Sequence, residues 1–271
     1  MGISIALPLL AAFATPQSKP AAPVQQPVAK WIVEYADNSC HIARHFGAPG
    51  NPVSLSMKLM PGRNSNQLII EELVEGKAEF REAPLIITTY PAGRQIRLTG
   101  KSGSMKSGSR LIYALLNKEQ LDQVEAAGQL SFEHLNQKLT LAIPGIKGAL
   151  AAATTCEDDL LRGWGIDVAA YRSIAVRAKP TRDPGTWVQN DDYPPQSIQR
   201  GERGLVGIRL DIATTGKVTQ CTVIASSSFK RLDDQTCRVV MKRAQYEPAR
   251  SADGTAIPSI SLQTYHWHVW P

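Results

Sequence analysis

Along residues 53–59 apolar and polar side chains alternate without a break, Val53-Ser-Leu-Ser-Met-Lys-Leu. This places Val53, Leu55, Met57 and Leu59 on one face of a half-buried strand. Further apolar runs of strand length cover 68–70, 85–90, 96–98, 111–115 and 139–143, separated by Gly, Pro and Asn. Helical spacing interrupts them twice. Asn117 and Gln120 stand three apart as the two ends of a capping box. Ile146, Leu150, Ala153, Cys156 and Leu160 fall on one stripe of a helix over 146–161. Residues 31–167 therefore read as a mainly-β domain with two helices.

Residues 168–182 read as a linker, ending in the break Lys179-Pro-Thr-Arg-Asp-Pro184. Beyond it, residues 183–271 predict a second domain. Tyr193-Pro-Pro opens a short helix with proline in its first turn, ending at Gly201 or Gly204. A strand over 205–212, a turn at Thr214-Thr-Gly-Lys217 and a strand over 218–225 form a hairpin. Ser226-Ser-Ser is a polar turn. A helix over 232–244 turns Leu232, Thr236, Val239 and Val240 inward, and a last strand covers 257–269. The order α-β-β-α-β predicts a small antiparallel sheet with helices on one face, and the chain as a whole is of the α+β class.

The first thirty residues bear on compartment. Residues 3–14 are an apolar run ending in Ala12-Phe13-Ala14. Twelve residues are too few to cross about 30 Å of hydrocarbon, so residues 1–14 read as a signal peptide cut after Ala14. No Lys or Arg precedes the run, which leaves an uncleaved anchor as the alternative. Residues 15–30, rich in Pro, Gln and Ala, read as a flexible spacer. The four cysteines are even in number and include no C-x-x-C pair, which disfavours a zinc knuckle or a thioredoxin-type site. Three connectivities are open to them. The domain break leaves two on each side, so Cys40–Cys156 and Cys221–Cys237 are the expected disulfides, in an oxidising compartment. Four free thiols in a reducing one are the alternative.

Charge and motifs exclude more than they establish. The net charge of +6 arises from 30 basic and 24 acidic residues interspersed along the chain, unlike the clustered basic surface of a nucleic-acid binder. Ser227-Ser-Phe-Lys230 matches S-x-x-K, but S-D-N and K-T-G are missing, and a polar turn accounts for it. Gly100–Ser104 is a fragment of a phosphate loop and reads as a flexible hairpin loop. His41 and His45 would share a metal only on a helix. His266 and His268 lie two apart on a strand rich in aromatics, and are read as sheet residues. Asp158-Asp159 and Asp191-Asp192 read as solvated carboxylates. No nucleophile–base pair or metal cluster stands out, so no enzymatic activity, cofactor or metal is expected.

One ordered series carries a resemblance: Tyr193-Pro194-Pro195, Ser197, Gly204, Gly216-Lys217-Val218, Ser226-Ser227, Leu232-Asp233, Tyr246-x-Pro248-Ala249 and Asp253-Gly254. In order and spacing it resembles the C-terminal domain of TonB-family energy transducers, over about residues 183–271. The resemblance implies a periplasmic protein whose partner is another envelope protein, such as a TonB-dependent outer-membrane receptor, and no nucleic acid. It implies capture of a short receptor segment by an edge strand, here Gln263, Tyr265, His266, Trp267 and His268. Cys221 and Cys237 replace apolar strand and helix residues of the family, which implies a disulfide between helix and sheet. Transducers also have an N-terminal membrane helix and a long spacer, whereas fifteen flexible residues span on average about 20 Å. Binding is therefore expected over force transduction. A TonB-type energy transducer is the alternative reading, and an enzyme housed in residues 31–167 a further one.

Overall fold

A computed structural model of the protein describes residues 23–50, 52–63, 65–73, 79–105 and 108–268. The expected signal peptide lies outside the described residues, as does the first half of the expected spacer.

The N-terminal part contains β1 (Val24–Gln25), β2 (Ile32–Ala36), β3 (Ser39–Phe46), β4 (Val53–Leu59), β5 (Asn66–Leu73), β6 (Arg81–Tyr90), β7 (Arg94–Ser104) and β8 (Ser109–Leu116). Helix α1 (Lys118–Glu125) follows, then β9 (Gln129–His134), β10 (Gln137–Ala142) and α2 (Ile146–Gly163). The strands form one ten-stranded sheet in the order β1-β10-β9-β6-β7-β8-β5-β4-β3-β2. Neighbours are antiparallel except β1 and β10. Val28 N–H donates to the His45 carbonyl at 3.0 Å and Pro27 bridges Phe46. Residues 24–28 thus join β10 to β3, and the sheet closes into a barrel. The expected spacer is in this stretch part of the sheet. With only Val24 and Val28 apolar, its composition hides a role that rests on backbone hydrogen bonds.

Alternation fills the barrel. Each of Val53, Leu55, Met57 and Leu59 is buried and each residue between them is half exposed. The same parity turns Leu68, Ile70, Leu85, Ile87, Leu130 and Phe132 into one core with α2. Helix α2 begins at Gly145, whose φ is +79°, and its stripe Ile146, Ala149, Leu150, Ala153 and Cys156 is buried. Cys156 is bonded to Cys40 of β3, with Cα atoms 6.0 Å apart. The capping box forms as the spacing predicts, with Asn117 and Gln120 exchanging side-chain and backbone bonds at 2.9 Å.

Residues 168–182 do more than link. They hold α3 (Val168–Arg172), whose Tyr171 packs with Leu161 and Ile260, and β11 (Lys179–Pro180). The C-terminal part then runs α4 (Pro195–Gln199), β12 (Gly204–Ile212), β13 (Val218–Ala225), α5 (Lys230–Arg243), β14 (Tyr246–Glu247), β15 (Ala249–Arg250), β16 (Ala256–Ile257) and β17 (Ser259–Trp267). Its main sheet is β13-β12-β17, antiparallel throughout, with short pairs β11–β14 and β15–β16 beside it. Val206, Ile208, Leu210 and Ile212 face Leu232, Val239 and Val240 of α5 in a second core. The Cys221–Cys237 disulfide ties β13 to that helix. Apart from the two-residue strands β14, β15 and β16, which the sequence pattern does not predict, the elements follow the order α-β-β-α-β.

Candidate functional site

Of the residues of the ordered series, Tyr193, Gly204 and Tyr246 contact β17, and others fix the turns around it. Tyr193 donates its hydroxyl to the Glu202 carbonyl at 2.5 Å and stacks its ring edge-on against Trp267, centroids 5.0 Å apart. Buried Ser197 donates to the Glu202 carboxylate at 2.6 Å, which also takes Arg231. These bonds hold the Glu202 carboxyl below its ordinary value, the Ser197 bond contributing most. Asp233 fixes the Ser226-Ser227 turn, accepting from Ser226 Oγ at 2.6 Å and from Ser227 N–H at 2.9 Å. Gly216 has φ +79° and meets the Tyr246 carbonyl, with Tyr246 N–H returning a bond to the Gly216 carbonyl at 3.0 Å. Trp267 donates its indole N–H to Thr236 Oγ1 of α5 at 2.8 Å.

Strand β17 pairs with β12 along its whole length, from Gly204 opposite Trp267 to Ile212 opposite Ser259. Among the described residues no strand pairs its other side. Such an edge presents a row of N–H and C=O groups able to take a further strand.

The side chains of the expected edge divide between two faces. Tyr265 and Trp267, expected among the partner-binding residues, face α5 and are buried, so neither ring stands free to grip a partner. Burial pushes the Tyr265 phenol far up, and its hydroxyl donates to the Pro184 carbonyl at 3.3 Å. Gln263 is spent within the domain, donating to Ser261 Oγ at 3.1 Å and Tyr246 Oη at 3.4 Å. On the other face His266 is exposed beside half-buried His268, their rings 4.8 Å apart.

The remaining candidates fall to structural roles. Ser227 Oγ bonds Asp233 at 2.8 Å while Lys230 pairs with Asp234 at 2.7 Å, so no serine–lysine couple exists. Gly100–Ser104 belongs to strand β7 and is not the flexible loop expected. His41 and His45 lie on β3, where four residues separate them by about 13 Å, too far to share an ion. Asp158 pairs with Arg172, and Asp192 with Arg243, which holds the Asp192 carboxyl below its ordinary value. Among the described residues no group of three or more metal-ligating side chains converges.

Sequence reasoning missed what covers the far face of β17. Ile260 packs on Leu161 and Tyr171, and Gly62 of the β4–β5 turn lies against Ile260 and Leu262. Gly62 N–H donates to Tyr171 Oη at 2.6 Å and Arg63 Nη2 to Thr264 Oγ1 at 3.0 Å. The N-terminal part thus covers the first half of this face and leaves Thr264 and His266 exposed.

Residues 189–269 match the family described as Gram-negative bacterial TonB protein C-terminal. The C-terminal domain is TonB-type. The match takes in α4 through β17 and none of the barrel. No curated protein matches the chain significantly.

Proposed function

We propose that this is an exported envelope protein whose TonB-type domain binds a segment of another envelope protein by adding it as a strand to the outer edge of β17. The observation that carries this reading is the unpaired edge of β17 in a domain of this family. Main-chain hydrogen bonds supply the affinity, and the exposed Thr264 and His266 supply the side-chain contacts. The two disulfides accord with an oxidising compartment. Among the described residues no helix is long and apolar enough to cross a membrane.

Adjacent proline substitutions test the mechanism. In an antiparallel pair successive residues of a strand turn their N–H and C=O alternately towards and away from the partner. Of Gln263→Pro and Thr264→Pro, one therefore removes an outward donor and the other breaks the β12–β17 ladder. Capture of partners from envelope extracts is measured with both variants, with circular dichroism to report folding. The variant that stays folded is expected to lose the partner that the wild-type protein retains. Equal capture by a folded variant would overturn binding by this edge.

A further inference from the structure

The barrel carries a polar cluster at one mouth. The inward parity of β5 and β8 continues past Ile70 and Ile112 to Glu72 and Arg110, which stand directly opposite each other. Arg110 is 9% exposed and donates from Nε to Glu72 Oε1 at 3.0 Å, and from Nη2 to Glu72 and Gln137. Buried His134, inward on β9, donates from Nδ1 to the Pro84 carbonyl at 3.1 Å, and its Nε2 bonds Ser102 Oγ at 3.0 Å. Room for this ring comes from Gly100, where a Cβ would lie 3.1 Å from two of its atoms. Polar groups from five strands thus converge where apolar ones would close the barrel. A buried ion pair of this kind is commonly replaceable by apolar residues at no loss of stability, so stability does not explain it.

Glu72, Arg110, His134 and Gln137, with Gln25 and Lys138, line a cavity of about 340 Å³ floored by Ile112 and Phe132. One wall group lacks a partner. Gln25 Oε1 is buried with no hydrogen bond, a state that carries a cost. Arg110 presents a guanidinium in the same wall, with Nε and Nη2 bonded to Glu72 and Gln137. The cavity therefore sets a guanidinium and an unpartnered acceptor above an apolar floor. Glu72 already balances the charge of Arg110, and Glu133 that of Lys138 in the same wall, so a further charge would enter uncompensated.

We propose that the mouth of the barrel is a binding site for a small neutral carboxamide with an apolar flank, its C=O accepting from Arg110 and its N–H donating to Gln25. A carboxamide supplies both functions on one planar group, and its flank rests on Phe132. The site is independent of the β17 edge and stands or falls without it.

Benzamide titrated into the full chain, followed by protein-observed NMR, is the test, with benzoate as the charged isostere. The expected result is saturable shifts at the mouth, with benzoate at least tenfold weaker. Gln25→Leu removes an acceptor that has no partner, so it is expected to leave the free protein as stable or more so. The same variant is expected to weaken benzamide about fivefold or more, the loss of one hydrogen bond. A second variant, the double substitution Glu72→Leu with Arg110→Met, replaces the ion pair by apolar groups and is expected to abolish binding in a folded barrel. Absence of saturable binding, equal binding of benzoate, or unchanged affinity in folded Gln25→Leu would each overturn the proposal.

Discussion

At Gly216 a Cβ would sit 1.8 Å from the Tyr246 carbonyl oxygen, and the φ of +79° is itself costly for any other residue. Gly216→Ala is expected to destabilise the C-terminal domain by about 3 kcal/mol or more, read as a lower urea midpoint. Two carboxyls set the response of the same domain to acid. Asp192 is held below its ordinary value first by hydrogen bonds from Arg243, and Glu202 first by the Ser197 hydroxyl. A carboxyl lower in the folded than in the unfolded chain adds stability above the unfolded value, about 4, and loses it as pH falls through the folded one. The urea midpoint is therefore expected to drop between pH 5 and pH 3. Asp192→Asn should lower the midpoint at pH 7 and flatten that drop; an unaltered pH dependence would show that the Arg243 pair is not responsible.

Elements differ in how far the sequence betrays them. Strand β4 is legible because every second residue is apolar and buried. Strand β3 is not, because Ser39, His41, Arg44 and His45 dilute its apolar set, so only the structure shows that Cys40, Ile42 and Phe46 share the core. The β9–β10 turn is equally hidden. Leu135 and Asn136 both adopt positive φ, 49° and 62°, as a two-residue hairpin of this geometry requires, yet leucine is a poor signal for it. The C-terminal edge was legible as a strand but not in its exposure, since alternation fixes which residues share a face and not which face meets α5. The link between β13 and α5 is open to direct test. The Cys221–Cys237 bond closes a loop of sequence separation 16, worth about 3 kcal/mol in the chain-entropy account. Cys237→Ser is expected to cost the C-terminal domain roughly that much, and reductant should lower the wild-type midpoint more than the variant's, in which only the Cys40–Cys156 bond is left to reduce.

At the scale of the molecule, the two parts meet through Tyr171. Its hydroxyl accepts from Gly62 N–H at 2.6 Å and from Arg177, while its ring packs between Leu161 of α2 and Ile260 of β17. Arg63 adds a bond to Thr264, and Arg209 of β12 donates to the Trp164 carbonyl at 2.9 Å. On the other side of this seam, Ala175 and Val176 hydrogen-bond the backbone of Arg250, so the stretch leaving α3 is knit into the C-terminal domain. The contact sets the geometry available to a partner. It covers Ile260 and Leu262 and leaves the outer edge and the His266 end of β17 open. A segment added there would run beside the barrel with its side chains restricted to one end of the sheet. If Tyr171 is the hub, Tyr171→Ala should remove a buried aromatic at a cost of about 3 kcal/mol. Its effect should fall on the coupling between the parts and not on either core. Urea unfolding of the wild type is expected to be a single transition. The variant should unfold in two, with faster limited proteolysis between residues 173 and 183. A single transition at the wild-type midpoint, with unchanged proteolysis, would place the coupling elsewhere along the seam, at Arg63 or Arg209.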